Sequence, residues 1–266
     1  MASGLSRIDW TAPWLSPWRA PGERIAQQVA QGHSVAEACN DALVVQRELA
    51  LHASPAKSVC HVKFVSQDNL PEGMAYEQFI FDQHAVPTRE GLHDFFNALC
   101  WLQFPLAKRQ LNQLQAAAIQ NQGVGAVRGP VRDAVTVFDE NACLLQVDDV
   151  IWDALERRDW QAAFVTYRDL WDTAQMQIFG HAALEKLVAP YKAITVHMWR
   201  VPQGLAVSEW DAWLSQDLQA DKLARKPFLP TPVLGCPAGG PRTCRQIFTK
   251  TPRSFACQEG LNSVLF

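Results

Sequence analysis

"TREGLHDFFNALCWLQFP", residues 88–105, decides how this chain is read. Leu92, Phe95, Phe96, Leu99 and Leu102 recur at i, i+3, i+4, i+7 and i+10. That spacing puts apolar side chains on one face of an α-helix and predicts a core-facing helix here. Thr88 can cap it. Pro105 then opens a second helix, "PLAKRQLNQLQAAAIQNQ", from the favoured first position, and Gly123 and Gly125 end it. His93, Asp94 and Asn97 sit in the first turns, off the apolar stripe. They are either the edge of an active site or ordinary polar groups at the end of a core helix.

Outward from that helix, the pattern is mixed. "GERIAQQVAQGHSVAEACNDALVVQRELALH" (residues 22–52) reads as helix broken at Gly32, with Ser34 and Glu37 forming a capping box. "SVCHVKFV" (58–65) alternates as a strand, and "AYEQFIFDQHAV" (75–86) is a second strand candidate on its aromatic and β-branched content. "AVTVFDENACLLQV" (134–147) reads as a hairpin around Asp139, Glu140 and Asn141. "DDVIWDALERRD" gives a short helix. Residues 159–188 give a long one, with Trp160, Phe164, Tyr167 and Trp171 on one side. "KAITVHMWRV" is a strand and "SEWDAWLSQDL" a last helix. Without strict strand–helix alternation, the class is α+β: a single domain, mostly helical, with a small mixed or antiparallel sheet.

The chain has 266 residues, 48% hydrophobic and 19% charged, enough to bury a large core. A net charge of −3 supplies no positive field for nucleic acid. No uncharged apolar run approaches the ~20 residues of a membrane helix, and "MASGLSRIDWTAPW" lacks the layout of a secretory signal. The expectation is a cytoplasmic protein with no membrane partner. Seven cysteines make no C-x-x-C pair and read as free, mostly buried thiols. Trp10, Trp14 and Trp18, punctuated by Pro13, Pro17 and Pro21, predict an extended or turned arm over residues 1–21. The arm is either pinned to the body or free to dock a partner.

Familiar catalytic signatures are missing: no phosphate loop, no dinucleotide fingerprint, no nucleophile elbow. "GVGAVRG" follows a predicted helix and reads as a loop. The His93-Asp94 dipeptide matches one element of the HD phosphohydrolases but lacks the rest of their ligand set. His181 and Glu185 stand four apart, on one helical face, where they could share a metal or pair as base and orienter. His197 lies on the following strand. A site of His93, Asp94, His181, Glu185 and His197 is geometrically conceivable, as is a set of polar groups satisfied at element ends. Any metal would fall to His93, His181 and Glu185. Arg89, Asn97 and Arg128 are the candidates for substrate binding. Lys108 and Arg109 read as exposed helix charges. No pattern names a cofactor.

"RIDWTAPWLSPWRAPGE", "AYEQFIFDQHAVPTREGLHDFFNALCWLQFP", "RGPVRDAVTVFDENACLL" and "FGHAALEKLVAPYKAITVHMW" resemble the bacterial family called domain of unknown function 3025. The resemblance implies one family domain over residues 22–235 and brings no activity. Ala142 departs from the family's glycine after Asp-Glu-Asn. From Cys236 to Phe266 the 31-residue tail stops looking like the family and loses apolar periodicity. One allowed reading in a shifted frame restores a family-like ending. The expectation is therefore a frame shift near Gly235 and a poorly ordered tail, which resequencing of the gene would decide.

Two functions follow as expectations. The first is an acid/base or metal-dependent hydrolase acting on a small anionic substrate. The second is a non-catalytic binding or regulatory protein that uses its aromatic-rich arm or surface.

Overall fold

The N-terminal arm winds instead of extending. In the computed structural model, which describes residues 4–52, 60–122 and 129–233, Pro13–Trp18 forms a 3₁₀ helix that runs into α1 (Arg19–Ala30). Pro13 takes the first position of its helix and Pro21 lies in the first turn of α1, where proline's missing N–H is tolerated. Leu15 and Trp18 are buried, and the Trp10 ring meets Phe95 edge-on at 6.2 Å. A Cβ on Gly22 would fall 2.2 Å from that Trp10 ring, so the arm crosses α1 where there is no side chain. The tryptophans pin the arm to the body.

Gly32, at φ +105°, separates α1 from α2 (Val35–His52). The Ser34 N–H donates to Glu37 Oε2 at 2.9 Å and the Glu37 N–H to Ser34 Oγ at 3.2 Å, the reciprocal capping box. β1 (Lys63–Ser66) then pairs in parallel with β2 (Ala85–Thr88), with Lys63 opposite Ala85. A parallel pair needs a crossover, and α3 (Tyr76–Gln83) supplies it. "AYEQFIFDQHAV" is thus mostly helix, not strand. Tyr76, Phe79 and Ile80 stand at i, i+3 and i+4, and packing of that face overrides their β-propensity.

α4 (Leu92–Gln103) and α5 (Pro105–Gln122) meet at Pro105 as the sequence predicts. α4 is buried almost all round, from Asp94 to Leu102. Thr88 does not cap it. Thr88 ends β2 with its hydroxyl donating to the Val86 carbonyl at 2.9 Å, and Gly91, at φ +148°, stands before the helix. The expected hairpin is α6 (Pro130–Asn141) followed by β3 (Ala142–Gln146). Pro130 starts α6, and Ala134, Val135 and Phe138 form its buried face, so Asp-Glu-Asn occupies its last turn.

After α7 (Asp149–Glu156), the expected long helix breaks up. Ala162–Thr166 is a π-helical turn and Arg168–Thr173 a 3₁₀ stretch; β4 (Gln175–Ile178) and α8 (His181–Lys186) follow. β4 is drawn out by pairing antiparallel to β3, which the run's own periodicity does not record. β5 (Thr195–Arg200), α9 (Trp210–Asp217), α10 (Ala220–Ala224) and β6 (Leu229–Pro232) complete the chain. The larger sheet runs β4-β3-β5-β6, with only the β3–β5 pair parallel. The architecture is α+β, with two small sheets and helices as the bulk. Phe104, Phe138, Phe179 and Trp199 meet at tilted and edge-on angles between α4, α6 and the sheet, with centroids 5.0 to 5.3 Å apart. Among the described residues, no helix is long and apolar enough to cross a membrane.

One close approach positions the site. The Phe179 and Gly180 N–H groups both donate to the Ala142 carbonyl, at 2.9 and 2.8 Å. A Cβ on Gly180 would lie 2.4 Å from the Asn141 nitrogen and the Glu140 oxygen, both backbone atoms that cannot swing aside. Gly180→Ala is expected to destabilise the fold by about 1–3 kcal/mol through overpacking and to displace α8. Chemical denaturation, with the His181 ring resonances as a local probe, checks both effects.

Candidate active site

Three helices bring the polar residues of α4 into one cluster. α8 packs against α4 and α6, which sets His181 beside His93 and the last turn of α6. The His181 Nδ1 lies 2.9 Å from the Asp139 carbonyl. On the other side of the pair, the His93 Nδ1 lies 2.9 Å from Glu185 Oε2. The two Nε2 atoms face each other at 3.1 Å, with the rings edge-on. His181 is buried and His93 is 41% exposed at its side chain.

The partners of the two Nδ1 atoms constrain the tautomers. A carbonyl and a carboxylate only accept, so each Nδ1 carries an N–H. The Nε2–Nε2 contact needs a hydrogen of its own. Two neutral imidazoles carry one each, so hydrogen bonds at all three contacts would take one proton more, and Glu185 would balance its charge. Burial lowers the His181 imidazole to about 4, the nearby Asp139 opposing that effect and Lys108 adding to it. The buried His181 ring is therefore hard to charge.

Behind this pair lies a charged layer. Lys108, 3% exposed, donates to Asp139 Oδ1 at 2.5 Å and to Asn97 Oδ1 at 2.9 Å. Asn97 Nδ2 in turn donates to the Tyr76 hydroxyl at 3.1 Å. Burial pushes the Asp139 carboxyl up, but Lys108 and then His181 outweigh it and hold it below the usual carboxylate range. The Tyr76 hydroxyl is pushed up, chiefly by burial. Asp94 accepts from the Arg89 N–H at 2.7 Å and from its guanidinium at 3.0 and 3.1 Å, a bidentate pair.

A cavity of about 320 Å³ opens over this layer, walled by Tyr76, Arg89, His93, Asn97, Asp139 and His181. Of the residues singled out in the sequence, His93, Asp94, Asn97, Arg89 and His181 line it, and Glu185 supports His93 from behind. Asp94 and Asn97 spend their side-chain polar atoms on protein partners, and Arg89 spends Nε and Nη2 on Asp94. His197 does not line it. Its ring packs edge-on against Phe228 at 4.9 Å, and its buried Nδ1 has no partner among the described residues. Arg128 lies outside the described residues.

The shared-metal arrangement also changes. Glu185 sits on the nitrogen of His93 that points away from His181, so the three cannot converge on one ion. Among the described residues, no group of three or more His, Cys, Asp and Glu side chains is arranged to hold a metal. The cysteines Cys39, Cys60, Cys100 and Cys143 are free and buried, and burial pushes the Cys60 thiol up to about 11. None of these four lines the cavity.

Lys108, Asp139 and Tyr76 are the residues the sequence reading missed. Lys108 carried a signal. It stands four residues after buried Phe104 and three before buried Leu111, on the inner face of α5.

The fold and site together define an α+β domain built around a paired-histidine cavity. The chain belongs to the family described as protein of unknown function (DUF3025), whose model matches residues 62–257. The match starts after the arm and α2. It runs beyond Gly235, where the sequence reading placed the departure from the family. No curated protein and no solved structure matches the chain.

Proposed function

We propose that this protein is an enzyme performing acid/base catalysis, in the manner of a hydrolase, at the cavity where His93 and His181 face each other. The observation that carries this reading is the direct contact between the two imidazole rings. Two imidazoles tied at both Nδ1 atoms face each other through their Nε2 atoms, 3.1 Å apart, in a cavity wall, and this contact supports one transferable proton between them. His93 is the exposed partner and exchanges that proton with a substrate. His181 receives the other end of the hydrogen bond. Glu185 orients His93 and balances its charge. Lys108, Asp139 and Asn97 keep the wall rigid.

The arm gives less support to partner docking, because Trp18 is fully buried and Trp10 is engaged with Phe95 and Gly22.

Nitrogen-15 spectra of the ring nitrogens test the proton without a substrate. One neutral and one charged imidazole in the pair at pH 7 is the expected result; two neutral rings overturn the reading. In a screen of ester, amide and phosphoester substrates, His93→Ala and His181→Ala are expected to lower turnover by about 10²–10⁴-fold. The exposed-site control His33→Ala leaves it unchanged. Equal turnover in His93→Ala sinks the assignment.

A further inference from the structure

The charges around the cavity do not cancel. Arg89 is matched by Asp94 and Lys108 by Asp139, and Glu185 is taken up by the histidine pair. Glu77 and Glu140 also line the cavity, half-buried, and neither side chain has an ion pair or hydrogen bond among the described residues. Two negative charges are left over. Gln115 lines the same cavity at 8% exposure, and its amide likewise has no partner among the described residues. Its carbonyl is an acceptor in the wall that also carries the two unmatched carboxylates.

We propose that the cavity recognises its substrate through a positively charged nitrogen, a protonated amine or a guanidinium, held by Glu77, Glu140 and the Gln115 carbonyl. This names the substrate class of the acid/base site and rests on that reading. It reverses the anionic substrate expected from the sequence. Arg89 Nε and Nη2 are engaged by Asp94, so an added anion would compete with that carboxylate for the guanidinium and would meet the two unmatched carboxylates. A cation neutralises them and offers the Gln115 carbonyl a charged donor.

Titration calorimetry of the full chain tests this with agmatine, spermidine and tetramethylammonium as cations, and inorganic phosphate and succinate as anions. At least one of the N–H-bearing cations, agmatine or spermidine, is expected to bind at millimolar concentration or below. Glu77→Gln/Glu140→Gln is expected to weaken that binding by about tenfold or more, the scale of losing charge-assisted hydrogen bonds. Gln115→Leu weakens it too while leaving the fold intact, so a folding defect in the double variant does not decide the result. The anions do not bind. Absence of binding by both N–H-bearing cations, binding unchanged in the folded double variant, or binding of an anion in place of the cations overturns the proposal. His93→Ala separates the two claims: it is expected to retain the cation while losing turnover.

Discussion

Lys108→Met is expected to cost about 3–5 kcal/mol of stability, the scale on which removing one partner of a buried ion pair leaves the other charge uncompensated. The Lys108 ammonium is buried, bonded to Asp139 and Asn97, and lies 5.4 Å over the Trp101 ring. Methionine preserves the volume and the stem contacts but none of the donors. Asp139 then faces a site that raises its pKa by burial with no ammonium to oppose it. Urea denaturation at pH 7 measures the loss. Adding Asp139→Asn is expected to restore a large part of it, because the second change removes the stranded charge. If the single variant loses under 1 kcal/mol, or the double variant loses as much as both singles added, the pair is not the structural centre of this cavity. A local effect should accompany the loss. Lys108 lowers the His181 imidazole while Asp139 raises it, so His181 is expected to titrate higher in Lys108→Met.

The same residue shows what a sequence can and cannot reveal. α4 was legible because its partner-facing stripe is local: Leu92 to Leu102 repeat at helical spacing whatever lies opposite. Helix α5 was legible through Pro105 for the same reason. The burial of Lys108 was half legible, since its position falls on the inner face of α5. Its partner was not, because Asp139 reaches it only after α6 folds, and α6 looked like a hairpin. "VTVFDEN" carries β-branched residues and turn formers, and only the helix start at Pro130 argues otherwise. β4 failed from the opposite cause: its strand state is conferred by β3, 29 to 35 residues earlier across the sheet register. His93, His181 and Glu185 could be chosen from the sequence because the two on α8 share a helical face. Their arrangement could not. Glu185 and His181 ended on opposite nitrogens of His93, which turns a supposed metal set into a hydrogen-bonded chain.

His181→Gln is expected to lose much of its stability difference from the native protein on acidification, by on the order of 3 kcal/mol between pH 7 and pH 4. The His181 imidazole is held at about 4 in the folded chain, chiefly by burial, against an ordinary value of 6.5. The unfolded chain therefore binds this proton more readily. Stability from His181 is complete above pH 6.5 and is lost as pH falls from 6.5 through about 4. Glutamine has no such proton to bind, so the gap closes over that interval. His197, also lowered, acts in the same sense. The native protein's own curve hides the effect, because Asp211 works against it. That carboxylate accepts from the Leu106 and Ala107 N–H groups at the start of α5, and burial pushes it up to about 6 from 3.8. A raised carboxyl binds its proton more readily when folded, so Asp211 adds stability as pH falls from 6 toward 3.8. The two groups oppose each other across nearly the same interval. The native curve is expected to be shallow there, the His181→Gln curve to rise toward acid, and an Asp211→Asn curve to fall toward acid. Denaturation of all three proteins at pH 7 and pH 4 reads the signs directly. A constant gap between native and His181→Gln would mean that His181 titrates alike folded and unfolded, and the buried half of the proton pair would be lost with it.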